Sequence, residues 1–149
     1  MKRFRFRLEQ LLRLRRHQEH EWEIKLADIT GRCLLLENAI RECDRNLLAG
    51  FDARRAGQGE LDVIGLMASE LYMARLRQEK EEHLAELEIR HHERERIQKD
   101  YLEAAKKRKV LEKLKERRAA EYYQAARREE FNTADEVNNS SLIRAGLVS

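Results

Sequence analysis

Histidine, cysteine and carboxylate side chains are the residues of this sequence that could bind a metal or carry out catalysis. His17 and His20 stand three residues apart, so they would share one face of a helix. His83, His91 and His92 follow in the second half of the chain. A structural zinc site needs four ligands, and no cysteine accompanies these histidines. We therefore interpret them as solvated side chains and predict no metal site.

Other catalytic groups are equally scarce. The sequence has no glycine-rich phosphate-binding loop and no serine or cysteine nucleophile in a catalytic setting. Cys33 and Cys43 are ten residues apart, which on one helix is about 15 Å and too far for a disulfide. We predict that both cysteines are buried and reduced, that the protein binds no cofactor, and that it is not an enzyme.

A regular apolar repeat predicts the helices that must position any functional residues of the chain. Between Trp22 and Leu47 apolar residues recur with strict 4-3 spacing, which on a helix makes one narrow stripe that another helix must cover. The same frame continues backwards to two leucines and then to Arg15 and Glu19. The predicted seam comprises Leu8, Leu12, Trp22, Leu26, Ile29, Cys33, Leu36, Ile40, Cys43 and Leu47.

Composition agrees with a coiled coil better than with a compact core. Of the 149 residues, 40% are charged and 6% are aromatic, which leaves little bulky apolar material to bury. Disorder is the alternative explanation of such a composition. However, the seam and the complete absence of proline favour long helices. We predict an all-α, elongated antiparallel two-helix coiled-coil hairpin.

The glycines indicate where the chain turns back. Four of the six glycines fall between residues 50 and 65. We therefore predict helix 1 over about 4–49, a turn over about 50–61 and a longer helix 2 over about 62–131, with Asp62 as its N-cap. A polar, flexible tail over 132–149 completes a single coiled-coil domain, 1–149.

The second helix has a weaker seam, and charged residues such as Lys80, Arg90, Arg94 and Arg108 interrupt it. A turn centred at 57–59 would place Cys33 near Leu84 and Leu12 near Ala104. In that register Arg15 and Glu19 lie opposite the charged residues 90–100, which predicts a locally soft or register-setting segment. Helix 2 would have no intramolecular partner beyond about residue 112.

Charge is strongly clustered although the net charge is only +3. Residues 1–16 and residues 106–118 each carry a net charge of +6, and the hairpin brings both blocks to one end. An acidic protein surface or an anionic membrane could bind there; nucleic acid is disfavoured because no reading helix or aromatic platform accompanies the charge. No apolar run is long enough to cross a bilayer, so we expect a cytoplasmic protein without direct membrane insertion.

Motifs at both ends of the chain resemble one known family. The N-terminal pattern Phe4-x-Phe6-x-Leu8, followed by Leu11-Leu12-x-Leu14-Arg15 and the acidic run 19–23, is similar to the opening of the FliJ family of flagellar export proteins. The stretch KVLEKLKERR at 109–118, then Glu121-Tyr122 and Asp135-Glu136, resembles the C-terminal signature of that family. Chain length, coil architecture and the pattern Tyr72-x3-Leu76 also agree.

The resemblance implies a non-catalytic, stalk-like rod of the bacterial flagellar type III export apparatus. Implied partners are the hexameric export ATPase and its regulator, the cytoplasmic domain of an export-gate membrane protein, and export chaperones, with peripheral association at the inner membrane. ATPase-ring contacts would fall on Arg13, Arg16, Lys109, Lys113 and Arg117, and export-gate contacts on Tyr72 and Leu76. The alternative is a structural coiled-coil spacer or scaffold that forms dimers.

Overall fold

The computed structural model describes residues 2–56 and 63–148. Two helices, α1 over Glu9–Ala56 and α2 over Val63–Val148, pack against each other, and the described residues contain no strand. The predicted all-α antiparallel two-helix hairpin is confirmed. The predicted turn centre and the proposed cap Asp62 lie outside the described residues.

The chain divides into two compact units, each built from a segment of α1 and a segment of α2. The first unit, called the terminal unit below, comprises residues 1–19 and 103–149; the second, called the central unit, comprises residues 20–102. That residues 1–149 act as a single domain stays a prediction.

The core of the central unit consists of one stripe from each helix. Ile29, Cys33 and Cys43 of α1 are buried, as are Met73 and Leu76 of α2. Further positions of the predicted seam, Trp22, Leu26, Leu36, Ile40 and Leu47, are half-buried. Apolar residues off the stripe, such as Ile24, Leu34 and Leu35, are exposed. Burial therefore follows the 3.5-residue repeat of the sequence.

Ion pairs across the two helices fix the register of the central unit. Lys80 Nζ lies 2.6 Å from Asp44 Oδ1, and Arg54 lies 2.5 Å from Glu70. Facing residue numbers sum to 124 at these two pairs and to 128 where His91 approaches Glu37, instead of the predicted 116, and the predicted pairing of Cys33 with Leu84 is wrong. The error is about one heptad, because a seam that repeats every seven residues matches almost equally well after such a shift.

Helix α1 begins and ends later than predicted. Residues 2–8 are not helical, although the sequence prediction started the helix near Phe4. Apolar and basic residues alternate there with a period of two, which suits extended chain. Gly50, predicted as a stop, lies inside α1 beside the side chain of Met73, and no described glycine has a positive φ. The helix continues because nothing after Gly50 interrupts it before Ala56.

Helix α2 continues to Val148, although a flexible tail was predicted from residue 132. The polar residues of this segment hydrogen-bond to their own helix. The hydroxyls of Thr133, Ser140 and Ser141 donate to backbone carbonyl oxygens three or four residues earlier, at 2.8–2.9 Å. Such bonds allow serine and threonine to remain in a helix.

Candidate functional site

The terminal unit concentrates the positive charge of the protein. Counted over the sequence ranges of the two units, it carries a formal net charge of +8 and the central unit −5. Both basic blocks lie in this unit, and they run side by side, because Lys115 Nζ lies 2.8 Å from Glu9 Oε2 and Arg16 lies 3.3 Å from Glu112. The terminal unit is therefore the candidate site for an acidic partner.

All five predicted ring-contact residues lie on the surface of the terminal unit. Arg13, Arg16, Lys109, Lys113 and Arg117 are exposed. Lys109, Lys113 and Arg117 follow at intervals of four along the outer side of α2. Among the described residues, only Arg16 of these five has a carboxylate within ion-pair distance. The other four cations are available to a partner.

A chain of four charged residues connects the two helices beside this surface. Glu19 of α1 accepts a hydrogen bond from Arg108 of α2, and Arg108 also donates to Glu112 at 2.5 Å. Glu112 in turn pairs with Arg16. The hydrogen bond to Glu19 is the main reason that the pKa of Arg108 is raised.

This network corrects two register predictions. Glu19 faces Arg108 and not residues 90–100, and Leu12 lies between the levels of Glu9 and Arg16, opposite residues 112–115 and not near Ala104. One charged seam position of each helix, Glu19 in α1 and Arg108 in α2, therefore pairs with the other. Arg108 is a core position of α2 occupied by a cation because a carboxylate occupies the facing position of α1.

Glu9 makes the outermost of these ion pairs. Its hydrogen bond with Lys115 is the main reason that its pKa is lowered. A lowered carboxylate pKa contributes stability above the ordinary pKa of glutamate, and the contribution is lost as the pH falls through the folded value. Because Glu9 is at the surface, this contribution is small.

The non-helical residues 2–8, called the strap below, lie against α2. The ring centroids of Phe4 and Tyr122 are 5.6 Å apart, and the Tyr122 hydroxyl donates to the Lys2 carbonyl oxygen at 2.8 Å. Contacts between α2 and the N-terminal residues thus continue to Tyr122. The prediction that α2 has no intramolecular partner beyond residue 112 is wrong.

Comparison with known proteins agrees with the motifs at both ends. The family profile described as "Flagellar FliJ protein" matches residues 4–147. The chain belongs to the FliJ family. No curated protein and no solved structure shows significant similarity to it. FliJ membership makes the protein a component of the flagellar export apparatus.

The two predicted gate-contact residues of this FliJ protein differ in accessibility. Tyr72 is 50% exposed, whereas Leu76 is 6% exposed and belongs to the core of the central unit. The aromatic-x3-leucine pattern therefore places one residue at the surface and the other between the helices. A partner that binds here without separating the helices can contact Tyr72 but not the side chain of Leu76.

Three histidines of the FliJ chain lie close to carboxylates. His91 approaches Glu37 of the other helix at 4.0 Å, while His20 and His92 approach glutamates of their own helices. Within residues 2–56 and 63–148, no group of three or more potential metal ligands comes together. No helix in the described part of the chain is both long and apolar enough to span a bilayer.

Cys33 and Cys43 are free and buried. Burial also raises the pKa of the Cys43 thiol, with further contributions from Glu79 and other neighbouring carboxylates. We expect Cys43 to react with Ellman's reagent at pH 8 at least about tenfold more slowly in the folded protein than in urea. Burial keeps the reagent away from the sulfur, and the raised pKa lowers the fraction of thiolate. A Cys33→Ala variant isolates the signal. Equal rates in buffer and urea would contradict the buried position.

Sequence reasoning missed two features of the site. Glu19 and Arg108 were recognised as interruptions of the two seams but not as partners. Tyr122 was recognised only as part of a motif. The alternation of Phe4 and Phe6 with arginines was the available signal for an extended strap.

Proposed function

We propose that this protein is the non-catalytic, stalk-like partner of the hexameric flagellar export ATPase and promotes its assembly and hydrolysis. The observation that carries the proposal is the basic terminal unit, with a net charge of +8 and four unpaired cations among its proposed contact residues. An acidic ring interior would attract this surface through several small contacts.

The remaining partners are part of the same proposal. A FliJ protein in the export apparatus would contact the cytoplasmic domain of the gate through the surface around Tyr72, which is half exposed. It would also work with the regulator of the ATPase and escort export chaperones at the cytoplasmic side of the inner membrane. These roles are supported by the family resemblance.

Titration of the purified protein into the export ATPase tests the central proposal. We expect hexamer formation and ATP hydrolysis to rise together as the protein is added. An ATPase that assembles and hydrolyses at the same rate with and without the protein would contradict the proposal. Sedimentation of the protein alone separates it from the spacer alternative, which requires a stable dimer, whereas an intramolecular hairpin is monomeric.

Reversing two charges of the terminal unit should separate binding from folding. In the double variant Lys113→Glu/Arg117→Glu we expect unchanged helicity, because exposed charges contribute little to stability. ATPase stimulation should fall at least about tenfold at physiological salt, because two attractions become repulsions. Circular dichroism and a hydrolysis assay measure the two effects.

The central unit offers a matched control. Arg96 and Lys99 are also exposed cations of α2 without an ion-pair partner among the described residues. The variant Arg96→Glu/Lys99→Glu makes the same change in net charge outside the terminal unit. We expect it to stimulate hydrolysis as the unchanged protein does. If both variants lose stimulation equally, net charge and not the terminal unit is responsible.

A further inference from the structure

One tyrosine of α2, Tyr122, makes both the ring contact and the side-chain hydrogen bond described for the strap. Tyr122 contacts it at two points, its ring against Phe4 and its hydroxyl on the carbonyl oxygen of Lys2. Tyr123 packs edge-on against Tyr122, with ring centroids 5.5 Å apart, and so supports it from the side. The structure thereby joins the N-terminal Phe-x-Phe motif to the C-terminal Glu-Tyr motif.

The strap has little structure of its own. Its backbone hydrogen bond from Glu9 N–H to the Phe6 carbonyl oxygen, at 3.2 Å, lies at the junction with α1. Among the described residues, the Tyr122 hydroxyl makes the hydrogen bond that reaches the first half of the strap, residues 2–5. Phe4 and Phe6 are half-buried and border a groove with Leu114 and Arg118 of α2. The position of residues 2–5 therefore depends on Tyr122.

Docking of the strap determines where three arginines point. Arg3, Arg5 and Arg7 alternate with the two phenylalanines, and all three are exposed. Phe4 packs against Tyr122, whereas the three arginines remain at the surface, Arg7 in the turn that leads into α1. No described carboxylate lies within ion-pair distance of any of them.

We propose that Tyr122 is a positioning residue that docks the strap. Arg3, Arg5 and Arg7 thereby join the exposed cations of α2, namely Lys109, Lys113 and Arg117, in one surface for an acidic protein. The identity of that acidic protein as the export ATPase rests on the proposed function. A free strap would have to be ordered when the partner binds, which costs conformational entropy. The docked strap is ordered beforehand, so Tyr122 increases affinity without touching the partner.

Cleavage by trypsin measures docking of the strap and requires no partner protein. Trypsin cleaves after arginines, and it cleaves faster where the chain around them is mobile. Tyr122→Phe removes the hydroxyl and keeps the ring. We expect cleavage after Arg5 to be about fivefold faster in this variant, which corresponds to the loss of one hydrogen bond. Tyr122→Ala, which also loses the ring contact, should give at least about a tenfold increase.

Tyr123→Phe is the matched control, because Tyr123 neighbours Tyr122 and makes no described hydrogen bond to the strap. It should be cleaved at the rate of the unchanged protein. Equal cleavage of the unchanged protein and the Tyr122→Phe variant overturns the proposal, as does equal acceleration by both tyrosine substitutions.

The second measurement is the protein concentration that gives half-maximal ATPase stimulation. We expect Tyr122→Phe to raise this concentration about fivefold, with unchanged maximal stimulation and melting temperature, because only preorganisation is lost. Arg3→Glu/Arg5→Glu/Arg7→Glu should raise it at least about tenfold. Unchanged values for either variant overturn the proposal. If the unchanged protein itself fails to stimulate, the proposed function fails, while the cleavage rates still decide whether Tyr122 docks the strap.

Discussion

Replacing Met73 by alanine is expected to lower the free energy of unfolding by about 2–4 kcal/mol. Met73 is 0% exposed and packs beside Gly50. The Met73 side chain lies 3.6 Å from the point that a Cβ atom on residue 50 would occupy. Glycine offers no side chain that could move into the space that the methionine leaves. The cavity therefore stays open, and its cost adds to the lost burial. Urea unfolding followed by circular dichroism measures the change.

Met67 provides a control of the same residue type on the same helix. It is 63% exposed, so Met67→Ala should change the free energy of unfolding by less than about 0.5 kcal/mol. Similar losses for the two substitutions would show that residue 73 is not in the core. That result would also contradict the register given by Lys80 with Asp44 and Arg54 with Glu70.

Replacing Arg108 by leucine should be more destabilising than replacing its partner Glu19. The side chains of Glu19 and Arg108 are 15% and 21% exposed. Arg108→Leu leaves the carboxylate of Glu19 without its partner in a poorly hydrated position, and we expect a loss of about 2–3 kcal/mol. In Glu19→Leu the guanidinium still pairs with Glu112 at 2.5 Å, so the loss should be about 1 kcal/mol.

The double variant Glu19→Leu/Arg108→Leu tests whether the two residues act as a pair. Two facing leucines extend the apolar stripes, so stability should return to within about 1 kcal/mol of the unchanged protein or exceed it. Losses that simply add would show that the two residues do not interact. Sedimentation of the double variant shows whether the pair also sets the register, since loss of a unique register favours intermolecular association.

Much of the fold follows from the spacing of a few residues. Trp22 to Leu47 specify a helix with one covered face, because only side chains 3.5 residues apart on average return to the same line. Clustered glycines and the absence of proline then require a single return of the chain. Family membership was also readable, since the motifs at both ends are short and local. None of these features depends on which residues of the two helices face each other.

Register and helix ends could not be derived in the same way. Gly50 was a reasonable stop by local propensity, but a helix continues through a glycine when tertiary packing, here beside Met73, stabilises the next turns. The longer α1 accompanies a shift of the facing pairs, as Lys80 with Asp44 and Arg108 with Glu19 show. Residues 4–8 were assigned to the helix because Leu8 fits the heptad frame, although the alternation of Phe4 and Phe6 with arginines favours extended chain.

The amino-acid sequence by itself determined that two helices pair, which stripe α1 buries between Trp22 and Leu47, and that cations cluster in two blocks, residues 1–16 and 106–118. These properties are set by local periodicity and composition. The tertiary structure decided which charged residues meet, namely Glu19 with Arg108 and Glu9 with Lys115, and that Tyr122 holds the strap. A repeating seam permits several registers of nearly equal apolar burial, so the choice depends on specific long-range pairs that periodicity cannot reveal.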